Sequence, residues 1–202
     1  MKDVLKAVLL LLGFILLFPL IYAAIIAFKG ELLAIPSLKQ IALFKGAGLF
    51  LIIFLFVYDF KEFFELTLQG LSKVFAFTGN LSSGVGYVIP VYVVLTIVTN
   101  LVLVIIEKAH GLESLVLIVF GFFLMMHWVL SAKHLFNADT TLLKSQYYFV
   151  YSFLMLANLL IGAFLLNWLI SEFSSWSFLT NAYNLAKENY VQIWHFLFVD
   201  GK

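Results

Sequence analysis

The sequence predicts an all-α polytopic membrane protein, with about five transmembrane helices and two interfacial amphipathic helices over 59–77 and 173–199. Three observations carry this. Hydrophobic residues make up 64% of the 202-residue chain and charged residues 11%. A soluble domain carries about 25% charged residues, so this chain has too few to cover a water-facing surface. Mean hydropathy is +1.08, which makes lipid the solvent for most of the chain. The charges that exist gather between uncharged runs close to the length of a bilayer crossing. The chain reads as one transmembrane domain, 1–202, with spans at about 4–28, 41–58, 87–106, 114–132 and 146–170.

The first span rests on the uncharged run Ala7 to Phe28, about 33 Å of helix. A secretory signal has a shorter apolar core and a small-residue cleavage site, so this run reads as a retained helix, kinked at Pro19. Ala23 and Ala27 form a small-xxx-small pair that permits close helix contact. Residues 29–40, with Gly30 and Pro36, read as a connector. The second span, 41–58, contains Lys45, and its uncharged part begins only at Gly46. Lys45 can snorkel from the first turn and let the whole stretch cross; a re-entrant or tilted segment is the alternative. Gly46-Ala47-Gly48 reads as a site of tight helix packing.

Residues 59–77 change character. Phe60, Phe63, Phe64, Leu68, Leu71, Val74 and Phe75 recur at spacings of three and four, with charged and polar residues on most of the other face. Such a helix suits the membrane interface or a partner helix, and Lys61 and Glu65 are placed to pair across one turn. Residues 78–86 (TGNLSSGVG) read as a turn, and Asn80-Leu81-Ser82 fits a glycosylation sequon of low specificity. The third span begins at Tyr87 with Pro90 near its start. The fourth is followed by a polar stretch from Lys133 to Lys144, and the fifth carries Tyr147, Tyr148 and Tyr151 at one end with Trp168 and Trp176 at or beyond the other, an aromatic belt at each interface. The tail, 173–199, has a second amphipathic rhythm in Trp176, Leu179, Tyr183, Ala186, Tyr190, Ile193, Trp194 and Leu197. It reads as lying on the membrane or against the bundle, because its several Asn and its Lys187 and Glu188 weaken a sixth crossing. With five spans, six lysines fall on each side of the membrane, so the positive-inside rule assigns no orientation.

Composition removes several chemistries. The chain has no cysteine, which excludes thiol catalysis, disulfides and cysteine metal sites. All twelve basic residues are lysine, so sites built on the two-pronged arginine fork are disfavoured, and no basic patch is dense enough for nucleic acid. Ionisable groups inside a membrane are functional candidates, and the deepest here is His127, about fourteen residues into the fourth span. Ser131 and His134 follow on the same face at spacings of four and three. His127 is the single candidate for cofactor binding, as a haem or quinone ligand. No other span contains a histidine, and His134 lies about 10 Å further along the axis, so a haem would need a partner chain. No metal site and no resident cofactor are expected. Phe123-x-x-x-His127 resembles one motif of the intramembrane CAAX-type proteases, but the paired Glu-Glu with its following Arg is absent, so nothing is carried over. The carboxylates Asp59, Glu107, Asp139 and Glu172 sit at span ends, which argues against a proton relay, and no nucleophile has a paired base.

The remaining polar candidates for helix–helix contact or a substrate path are Lys45, Asn100, Ser131, His134, Asn158 and Asn167. Asn158 and Asn167 lie on opposite sides of the fifth helix, which predicts protein on both of its sides. The sequence therefore predicts a non-enzymatic integral subunit or scaffold of a larger transport, secretion or respiratory complex, with the lipid bilayer and other membrane subunits, or copies of itself, as partners. The alternatives are a small carrier of lipidic or apolar substrates, favoured by 23 phenylalanines, and a redox subunit using His127. The expected location is a bacterial cytoplasmic membrane.

Overall fold

The structure is a computed structural model that describes residues 2–105 and 111–198; the side chains of 78, 80–83 and 142 are not described. The described residues are mostly helical, without strands: α1 (Lys2–Ala34), α2 (Ser37–Phe56), α3 (Lys61–Val74), α4 (Ser82–Val88), α5 (Val91–Ile105), α6 (Glu113–Ala138), α7 (Ser145–Leu169) and α8 (Ser175–Phe198), with short 3₁₀ turns, each broken by a positive-φ residue, at Ala76–Leu81 and Leu142–Lys144. Four helices, α1, α2, α6 and α7, are long and apolar enough to cross a membrane. The chain is thus an all-α membrane protein.

The expected boundaries differ in four places, one being the end of α6, which runs six residues past 132 to Ala138. α1 continues through Lys29 and Gly30 to Ala34, so the connector 29–40 shrinks to the two residues before Ser37. Pro36 ends it, because proline cannot continue the ladder. α2 consequently begins four residues earlier than expected, and Lys45 lies about 12 Å along it rather than in its first turn. The stretch 78–86, expected as a turn, does break at Gly79, whose φ of 62° is left-handed, but from Ser82 onward it is helical, as α4. The expected third span, 87–106, is interrupted at Ile89-Pro90 and leaves α5 with 15 described residues, about 22 Å.

The chain divides into two compact units, 1–34 with 135–202, and 35–134. In the first, α1 is the spine. α7 runs alongside it in the same direction: the Phe14 and Tyr148 rings lie 5.6 Å apart near one end, and the Phe28 and Phe173 rings 5.8 Å apart near the other. A Cβ on Gly13 would come within 2.6 Å of the Phe149 ring, so glycine there lets α7 approach. α8 runs antiparallel to α1. Ser177 and Asn181 bond Glu31, while Asn189 and Tyr190 bond the Pro19 and Leu16 carbonyls. This register sets the buried Ala23 and Ala27 of α1 level with the buried Ala182 and Ala186 of α8, a small-residue seam that lets the backbones close up.

In the second unit, α2 and α6 meet backbone to backbone. A Cβ on Gly46 would overlap the Ile118 carbonyl, and one on Gly121 would overlap the Leu43 carbonyl; Gly48 has nothing within 4 Å. Beyond this contact the core is aromatic. Phe50, Phe64, Met126 and Leu130 are buried together, flanked by Phe54, Phe60, Tyr87, Tyr92 and Phe122. α3, the amphipathic helix expected over 59–77, buries Phe64 into this core and stacks Phe63 on Tyr92 at 4.4 Å. Its Lys61 and Glu65 approach to 3.8 Å as expected. At the α2–α3 corner, Lys133 reaches Asp59 at 2.7 Å and lies 5.0 Å from the Phe54 ring centre; both charges are half-exposed, so the pair contributes little.

Candidate functional site

The deepest polar groups of the second unit converge on Tyr87. α4 ends at Val88 and the chain turns at Ile89-Pro90, so the Tyr87 carbonyl loses its helical donor, the Val91 N–H, which bonds the Ile89 carbonyl instead at 3.0 Å. His127, buried on α6, fills the gap with Nε2 3.0 Å from that carbonyl. A carbonyl can only accept, so Nε2 carries the proton and donates. Two turns on, His134 Nδ1 is hydrogen-bonded to the Tyr87 hydroxyl at 2.7 Å. Phe64 sits between the histidines, its ring 6.2 Å from His127 and 6.4 Å from His134. The two histidines singled out in the sequence therefore act together on one partner, and they hold the broken α4–α5 segment against α6. With His127 Nε2 engaged by backbone, the redox reading gains no support from this geometry. Ser131, between them on α6, is fully buried, and its Oγ has no hydrogen-bond partner among the described residues.

The other polar candidates are spread through the fold. Lys45 is exposed on α2, away from the buried Ala42, Leu43, Gly46 and Phe50 face. Asn100 is half-buried on α5, and Asn158 is buried on α7. Asn167 is exposed, and its Oδ1 accepts the Ser175 N–H at 3.1 Å. It caps the start of α8, in place of the expected contact on the far side of α7. Glu107 lies outside the described residues.

Sequence reasoning missed two sites. Glu31, 8% exposed, accepts Ser177 Oγ at 2.5 Å and Asn181 Nδ2 at 3.2 Å through one carboxylate oxygen. The available signal was its spacing: Ala23, Ala27 and Glu31 recur every four residues, one helical stripe. The second is Asp139. Its carboxylate accepts the Thr141 N–H and hydroxyl and the Tyr147 N–H, each at 2.7 Å, while Thr141 Oγ accepts the Gln146 N–H at 3.1 Å. Together they satisfy first-turn donors of α7. Burial pushes the Asp139 carboxyl up, but the hydrogen bonds from Thr141 and Tyr147 and the nearby Lys144 charge outweigh it and hold it below the ordinary carboxylate value.

A groove of about 360 Å³ opens between α5 and α6, lined by Leu95, Thr96, Thr99, Leu103, Val119 and Phe123 among others. Its walls are almost wholly apolar. Among the described residues, no three His, Asp or Glu side chains gather in a way that could hold a metal ion.

The fold and these contacts define an α-helical membrane protein in which His127, His134 and Glu31 bind one helix to another. Searches of protein-family models, of curated proteins and of solved structures find no match to this chain.

Proposed function

We propose that the chain is a non-catalytic integral subunit, or scaffold, of a larger assembly in a bacterial cytoplasmic membrane. One observation carries this reading: the deep histidines and the buried Glu31 are committed to neighbouring helices. His127 and His134 are held by Tyr87, and Glu31 by Ser177 and Asn181. A catalytic site instead needs nucleophile, base and donors converging on one point where a substrate atom can sit. The amphipathic α3 and α8 supply outward faces suited to docking. The test is affinity purification after cross-linking in the native membrane, with fractionation of inner from outer membrane. Recovery of a defined set of membrane partners in the inner-membrane fraction is expected. A stable monomer with no cross-linked partner overturns the reading, and recovery from another membrane overturns the assignment of location.

The α5–α6 groove supports a second reading, a carrier for a lipidic or apolar substrate. Its volume falls within the range of small-molecule sites, and its lining suits an acyl chain. Native mass spectrometry should then show retained lipid that Thr99→Trp, filling the groove, removes. Equal retention by the variant sinks this reading.

A further inference from the structure

The seam between α1 and α8 fixes the depth of each α8 residue. Asn189 and Tyr190 bond the Pro19 and Leu16 carbonyls, which lie in the middle of the uncharged run 7–28. Lys187 and Glu188 stand within about 5 Å of that level by helical rise. Trp176 and Trp194, 76% and 59% exposed, bracket them about 27 Å apart along the axis, close to the spacing of the aromatic belts at the two faces of a bilayer. α8 thus carries a cation and an anion near the middle of a membrane-length helix.

The inward side of α8 is fully used. Phe178, Ala182 and Ala186 are buried, and Asn181, Asn189 and Tyr190 bond α1. Asn184, Lys187, Glu188 and Val191 lie on the opposite side, and all four are exposed. Charges at this depth are costly unless they face protein or water and find partners.

We propose that this face is covered by a second copy of the same chain, lying side by side with the first in the same orientation; the inference rests on the reading of the protein as part of an assembly. Consecutive helical residues are about 100° apart, so Lys187 and Glu188 flank the outward meridian on opposite sides. A twofold axis parallel to the two α8 helices sets the left flank of one against the right flank of the other. Lys187 of one copy then meets Glu188 of the other, twice over, and Asn184 meets its own counterpart, as a single polar residue does when it fixes the register of paired helices. One sequence supplies both halves of both ion pairs at equal depth, and this self-complementarity selects a second copy over a foreign helix.

Because the chain has no cysteine, single-cysteine variants report one position each. In native membranes under mild oxidation, Asn184→Cys and Val191→Cys should each give a disulfide-linked species of twice the chain mass. Ala182→Cys, on the side held by α1, should not. Lys187→Glu and Glu188→Lys should each lower the yield from Asn184→Cys several-fold, and the two together should restore it. A linked product containing a different protein overturns the second copy and leaves the assembly reading standing. No linked product, together with a monomeric mass for the unaltered chain in lipid nanodiscs, overturns both.

Discussion

The Glu31 carboxylate lies 2.5 Å from the Ser177 hydroxyl, joining residues 146 positions apart in sequence. The same oxygen accepts Asn181, so one acidic group ties the C-terminal end of α1 to the first turns of α8. Truncating Glu31 strands two donors beside a buried site. Glu31→Ala should lower stability by about 1–3 kcal/mol, whereas Glu31→Gln, which keeps an acceptor, should cost less. Unfolding in mixed micelles, followed by tryptophan fluorescence, measures both.

Gly46 and Gly121 admit the closest backbone approach in the second unit. A methyl group at either would collide with a carbonyl that belongs to the facing helix, and no rotamer change relieves backbone. Gly46→Ala and Gly121→Ala should each cost about 1–3 kcal/mol or more. Gly48→Ala, with open space around it, should stabilise α2 by about 0.5–1 kcal/mol, because alanine is the better helix former. The same unfolding measurement, run on all three variants, separates packing from propensity.

His127 and Tyr87 offer a test of how the break at Pro90 is held. His127→Leu leaves the Tyr87 carbonyl without its donor and should cost about 1–3 kcal/mol; Tyr87→Phe loses one hydroxyl bond and should cost about 0.5–1.5 kcal/mol. The His127→Leu cost should persist in a Tyr87→Phe background, because the carbonyl remains. A double-mutant cycle checks this.

Asp139 sets a pH dependence. Its carboxyl is held below the ordinary value in the folded chain, so its contribution is present above the unfolded carboxylate value near 3.8 and is lost as pH falls through the lower folded value. Asp139→Asn should be less stable than the unaltered chain at neutral pH, and the difference should shrink as the medium is acidified through that range. Circular dichroism melts in detergent between neutral and acid pH read out the difference.

Much of the fold was legible because lipid imposes simple rules. Uncharged runs marked α1, α6 and α7, and spacing by three and four marked α3. The small-xxx-small pair Ala23 and Ala27 anticipated a close helix contact without naming α8 as the partner. What escaped depended on groups that sequence patterns do not display. Gly30 and Pro36 looked like a connector, yet α8 offers Ser177 and Asn181 to Glu31, and that tertiary contact accompanies continuation of the helix through Gly30. The histidines were legible by depth. Their shared partner was not, since half of it is the Tyr87 backbone carbonyl, freed only because proline ends the ladder. The glycine-rich 78–86 stretch suggested a turn, and Gly79 makes one; the helix beyond it was hidden, because a Cβ at Gly86 would come within 2.5 Å of the Leu68 side chain on α3, and glycine there lets α4 approach.

α1 and α7 point the same way, and that direction has a consequence for sidedness. A chain that crosses a membrane twice in one direction must make an odd number of crossings in between. α2 and α6, long and apolar enough to cross, are two, and the shorter apolar α5 is the helix available for a third. Within the first unit, Lys2 and Lys6 at the start of α1 and Lys144 at the start of α7 then share one side of the membrane, and Lys29, near the far end of α1, stands toward the other.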